Sequence, residues 1–141
     1  MSRRKISAEK RQPSTILIVD DHPDQRDMYA TYFAAHGFRA LTAPDGGSAI
    51  SLAIAEHPSV IVMDLSLPHI DGWEATRRLK RHSATSHIPI IACSAHVLGA
   101  ASEHALDAGC DVFVAKPCLP ADLLAEVRTL LAPPPARRRA S

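Results

Sequence analysis

A chain of 141 residues with 46% hydrophobic and 22% charged content has the size and composition of one ordinary globular domain, and is expected to close around one core. No apolar run approaches the roughly 18 residues of a membrane-spanning helix, and Arg3, Arg4 and Lys5 lead into polar residues and not into the apolar stretch of a secretion signal, so a cytoplasmic location is expected. Charge is segregated: residues 1–14 carry +4 and the last ten residues +3, so the net +1 leaves −6 on residues 15–131, which argues against a nucleic-acid surface on the body of the protein.

Residues 1–14 lack apolar periodicity and read as a basic N-terminal extension. A first strand is predicted over residues 16–19, followed by a helix over 24–36 with Met28, Tyr32 and Ala35 at helical spacing and Gly37 as its stop. A weaker strand covers 38–42, and a second helix covers 48–57 after a turn at Gly46 and Gly47. The run at 60–63 is a third strand; Asp71 with Glu74 three residues on opens a third helix bearing Trp73, Thr76 and Leu79. Strand four is predicted over 88–92, a fourth helix over 97–108, strand five over 111–114, and a last helix with Leu119, Leu123, Leu124, Val127, Leu130 and Leu131 on one stripe. Pro133, Pro134 and Pro135 then end helical structure, leaving residues 132–141 as a Pro/Arg-rich tail.

Five repeats of strand and helix define an α/β domain with a parallel sheet covered on both faces, because parallel strands need right-handed crossovers. Ligands bind such sheets at the carboxyl ends of the strands. Those ends carry Asp20 and Asp21, Asp64, Ser94, and Lys116 with Pro117. Three converging carboxylates repel one another unless some stay protonated or a cation sits among them, and Mg²⁺ suits their hard oxygens. A hydroxyl and an ammonium beside a metal-bound carboxylate form a clamp for a phosphoryl group, with Asp64 as the nucleophile that becomes an aspartyl phosphate. Cys93, Cys110 and Cys118 form no C-x-x-C pair and read as reduced thiols, and the eight histidines show no zinc pattern.

Taken together, Asp20-Asp21 after an apolar strand, Val-Met-Asp64-Leu-Ser-Leu-Pro68 with Asp71-Gly72 behind it, Ser94-Ala95, and Phe113 three residues before Lys116-Pro117 resemble the receiver domain of two-component response regulators over residues 15–131. That resemblance implies a flavodoxin-like, doubly wound sheet of order 2-1-3-4-5 with five helices. It implies that Asp64 accepts phosphate from a histidine kinase or a histidine phosphotransfer protein. Asp21 would hold Mg²⁺ directly, Asp20 through water, with Asp64 and the Ser66 carbonyl completing the protein ligands. Lys116 would pair with Asp64, and the Lys116-Pro117 peptide would be cis. Ser94 and Phe113 would form a switch that reshapes the face of the fourth helix, strand five and the last helix, where a downstream protein docks.

The chain departs from the commoner family pattern in having Ser in place of Thr at 94 and Phe in place of Tyr at 113, which removes a methyl and a phenolic hydroxyl respectively. The expected function is a stand-alone phosphorylation switch that is no enzyme beyond its own phosphorylation and dephosphorylation. The alternatives are a binding module independent of phosphorylation and a small phosphohydrolase using the same aspartyl chemistry. Asp21 alone also fits a helix cap, His22 a surface position, Trp73 packing against a neighbour, and the basic ends solvated tails.

Overall fold

The computed structural model describes residues 13–67, 69–95 and 108–132. Five strands, β1 (Thr15–Val19), β2 (Arg39–Ala43), β3 (Val60–Asp64), β4 (Ile90–Ser94) and β5 (Val112–Ala115), form one parallel sheet in the order β2-β1-β3-β4-β5. Four helices lie among the described residues: α1 (Pro23–Ala35), α2 (Gly46–Glu56), α3 (Gly72–Arg81) and α4 (Pro120–Leu131). Of the helix predicted over 97–108, all but Ala108 lies outside the described residues, as do Pro68 and nearly all of both tails.

β1, β3 and β4 are buried almost end to end, as continuous β-branched runs require when helices cover both faces. Alternate residues on each strand then serve opposite sides. Leu17, Val19, Ile61, Met63, Ile90 and Ala92 face α2 and α3 in one apolar cluster. Ile16, Ile18, Val60, Val62, Ile91 and Cys93 join Tyr29, Phe33, Leu123, Leu124 and Val127 of α1 and α4 in another. Among the described residues the expected single core is therefore two clusters, because a doubly wound sheet partitions the apolar interior.

Several boundaries move for local reasons. β4 begins at Ile90, not at 88, since Pro89 has no N–H for the ladder and the Ile88 N–H is spent on the Thr85 carbonyl. Gly46 and Gly47 lie inside α2, because Asp45 caps it by accepting from the Ser48 N–H at 2.8 Å. In α1 the buried residues are Tyr29 and Phe33, whereas Met28 is 41% exposed and Ala35 is exposed; the stripe read from the sequence was rotated by one position. Phe33, fully buried, anchors this helix with about 2–3 kcal/mol of apolar burial. Leu119 is the N-terminal flank of α4 and 67% exposed, so it leaves the stripe that Leu123, Leu124 and Val127 bury. Trp73 packs partly buried against the α2–α3 cluster.

Far from the carboxyl edge, Lys80 at the end of α3 donates to the Ile88 carbonyl at 2.8 Å and pairs with Asp111 at 3.1 Å. Asp111 Oδ2 also accepts the Ile90 N–H at 2.8 Å, so one carboxylate fastens α3, β4 and the start of β5. At the other edge, α3 starts hard against β3. Gly72 stands so close that a Cβ there would collide with the Asp64 carbonyl oxygen and come within 2.6 Å of Leu65 Cα. Gly72→Ala is expected to destabilise the protein by about 1–3 kcal/mol, read as a lower urea midpoint with an unchanged slope.

Candidate functional site

The carboxyl edge gathers the polar residues that the apolar strands cannot absorb. Asp20 follows β1 directly, Asp64 closes β3 and Ser94 closes β4; all three are buried, at 3%, 5% and 3% exposure. Lys116 follows β5 and reaches back across the sheet, with Nζ 3.5 Å from Asp64 Oδ2 and 3.5 Å from Asp20 Oδ2. Its third contact is shorter. Lys116 Nζ donates to Gln25 Oε1 of α1 at 3.0 Å.

Backbone donors fix the two buried carboxylates. The Ser66 N–H donates to Asp64 Oδ1 at 3.0 Å, and the His22 N–H to Asp20 Oδ1 at 2.9 Å. Arg26 Nη1 donates to the Asp20 carbonyl at 2.8 Å, and the Arg26 N–H to the His22 carbonyl, so the first turn of α1 is fastened to the strand end that it follows. Ser94 is held through its carbonyl, which accepts the Lys116 N–H at 2.8 Å, and its register puts Cys93 opposite Asp64. The Lys116-Pro117 peptide is cis. Phe113 sits in β5 opposite Ala92, half-buried against the α2–α3 cluster.

Asp20, Asp21, Asp64 and His22 each present a ligand atom within 4.8 Å of the others. Asp21 Oδ1 is sealed from solvent and accepts no hydrogen bond from any described residue, although His22 Nδ1 stands 3.1 Å away. A carboxylate oxygen withdrawn from water and left without a donor is costly, and a hard cation among three acids removes that cost. The donor set therefore fits Mg²⁺. His22 remains largely on the surface, 71% exposed.

The structure thus brings Asp20, Asp21, Asp64 and Lys116 together, with the Ser66 amide on Asp64 and Ser94 on the adjoining strand. Sequence reasoning missed Gln25 and Arg26. Their signal was available in their position, on the helical turn that immediately follows the acidic pair and must pass the same edge. Burial also sets the character of two neighbours. Tyr29, whose hydroxyl donates to the Cys118 carbonyl at 2.7 Å, has its pKa raised by burial to about 12. The Cys93 thiol is pushed up to about 12 by burial, with the Lys116 charge opposing only in part.

A five-stranded 2-1-3-4-5 sheet with an acidic pocket and a lysine at its carboxyl edge defines a flavodoxin-like α/β domain of the receiver type. The response regulator receiver domain family matches residues 16–128, and the chain belongs to that family, whose members act in two-component signalling and bind Mg²⁺ in an acidic pocket. It is 31% identical to the polar-differentiation response regulator DivK of Brucella ovis, over 73% of this chain and 84% of DivK. It is 37% identical to a probable transcriptional regulator, ycf27, of Galdieria sulphuraria, over 86% of this chain but 46% of that protein, and 31% identical to the sensor histidine kinase RcsC of Escherichia coli, over 83% of this chain and 12% of RcsC. The chain thus spans less than half the length of these two relatives. A putative response regulator from Chloroflexus aurantiacus superposes with a TM-score of 0.81 at 30% identity, covering 86% of this chain and all of that one. The Vibrio cholerae chemotaxis protein CheY4 shares the fold, with a TM-score of 0.81 at 24% identity over 84% of this chain and 99% of that one. Among the described residues no helix is long and apolar enough to cross a membrane.

The raised Cys93 value carries a sign. The folded thiol holds its proton more tightly than the unfolded one, so its contribution to stability is complete below the ordinary value of 9 and falls as pH climbs toward 12. In the native protein at pH 8.5, alkylation followed by peptide mass mapping is expected to modify half-buried Cys118 first, with Cys93 at least about tenfold slower than in the unfolded chain. Equal rates at the two cysteines would contradict the sealed position of Cys93.

Proposed function

We propose that this domain is a phosphorylation switch in which Asp64 accepts a phosphoryl group from a histidine kinase or a histidine phosphotransfer protein. An Asp64 carboxylate oxygen attacks phosphorus, the phosphorus–nitrogen bond of the phosphohistidine donor breaks, and the bonding pair returns to the imidazole as the acyl phosphate forms. The observation that carries this reading is the pairing of a buried carboxylate, Asp64, with a lysine ammonium 3.5 Å away at the carboxyl edge of the sheet. The Ser66 N–H bond to Asp64 Oδ1 leaves the other oxygen to Lys116, which would meet the charge of the incoming phosphoryl oxygens.

Asp20, Asp21 and Asp64 would hold Mg²⁺, with the Ser66 carbonyl as a further ligand. When bound, the ion neutralises the crowded acids and stabilises charge on the transferring group. Ser94 would then hydrogen-bond the phosphoryl group, and Phe113, lacking a phenolic hydroxyl, would answer by packing alone. The output would be a change in the surface around β5 and α4, read by a downstream protein. In this account the domain carries out chemistry only on itself, in the cytoplasm, and it acts as a shuttle or an adaptor between protein partners.

Incubation with a small acyl phosphate and Mg²⁺, followed by intact mass, is expected to show the gain of one base-labile phosphate. The gain should vanish in Asp64→Asn and on chelation of the ion, and its rate should fall by roughly a hundredfold in Lys116→Ala. A correctly folded wild-type protein that takes up no phosphate would instead be a binding module independent of phosphorylation. Repeated turnover of a phosphate ester would make it a phosphohydrolase.

A further inference from the structure

Lys116 has three N–H donors, and the described structure supplies three acceptors: Asp20, Asp64 and Gln25. The shortest of these contacts is the 3.0 Å bond to Gln25 Oε1, and it is the uncharged one. Resting on the phosphoacceptor reading above, we propose that Gln25 is a positioning residue, which holds the Lys116 ammonium in place while its partner on Asp64 changes from a carboxylate to a phosphoryl oxygen.

The support is geometric. Gln25 is the third residue of α1, half-buried, on a turn fastened to the Asp20 strand end by the Arg26 bond to the Asp20 carbonyl and by the His22 N–H bond to the Asp20 side chain. Its amide therefore moves with the site and not with the surface. Lysine is a flexible, four-carbon stem carrying a point charge, so its placement depends on what anchors the nitrogen. When Asp64 is phosphorylated, one of its oxygens is committed to the new P–O bond and the phosphoryl oxygens become the stronger acceptors. The Asp64 contact must then be exchanged, and the Asp20 contact competes with the metal that Asp20 serves. Gln25 is required by neither process and can keep its bond throughout.

The amide also has the right charge. A carboxylate at position 25 would hold the ammonium equally well but would neutralise it, weakening its pull on the phosphoryl group. A leucine would preserve volume and leave the ammonium without its uncharged acceptor. The two substitutions separate holding from charge.

The test measures the rate of Asp64 labelling by a small acyl phosphate at saturating Mg²⁺ in wild type, Gln25→Leu and Gln25→Glu, alongside urea unfolding. The Lys116 Nζ resonance is followed in parallel, in ¹⁵N-lysine-labelled protein without phosphodonor. Gln25→Leu is expected to slow labelling by about tenfold and to abolish the slowly exchanging ammonium signal. Gln25→Glu is expected to retain that signal and still label about tenfold more slowly. Stability should stay near wild type in both. Wild type that labels, together with a Gln25→Leu variant that labels as fast and keeps its ammonium signal, overturns the assignment of Gln25 alone. Wild type that does not label at all overturns the phosphoacceptor reading, and the role of Gln25 with it.

Discussion

The crowding of negative charge at one edge of the sheet is the constraint on which the rest of the site depends. Three aspartates are delivered there by two strands, two of them almost wholly buried, and carboxylates so placed are stable only when their charge is answered. Lys116 supplies one positive charge from the far side of β4, and backbone amides of Ser66 and His22 supply fixed dipoles. That leaves an excess of negative charge and an Asp21 oxygen that accepts no hydrogen bond from any described residue, a setting that suits a cation. The donor set of the pocket is therefore the kind that suits a hard cation.

Everything around the pocket limits how far these groups can relax. The parallel register sets Asp64 beside Cys93 and Ser94 beside Ala115, so β3, β4 and β5 end in step and their polar termini share one rim. Gly72 brings the first turn of α3 against the Asp64 backbone, and α1 is tied to Asp20 through Arg26. A carboxylate on so rigid a frame cannot escape its neighbours by moving.

Much of this was legible in the sequence, for reasons that differ by residue. The buried strands announced themselves as β-branched runs, and the acids and lysine at their ends fell on one rim once the sheet was parallel. The direction of α1 toward the core was not legible, since its apolar residues, Met28, Tyr29, Tyr32 and Phe33, admit two neighbouring stripes, and only packing on β1 and β2 selects Tyr29 and Phe33. Gly46 and Gly47 read as a turn because glycine propensity is weak evidence against a helix once Asp45 caps it. Gln25 was marked only by its place on the turn after the acidic pair, since a polar residue on a helix carries no signature of the lysine that finds it 91 residues later.

The two apolar clusters have a consequence for how such a domain can diversify. The sheet acts as a septum, with α1 and α4 on one side and α2 and α3 on the other, and among the described residues no buried side chain belongs to both clusters. Substitutions on one side are therefore felt on the other only through strand backbones, which are stiff and shared. One flank can be recut for a new recognition surface while the opposite flank keeps its fit, provided the rim between them is left alone.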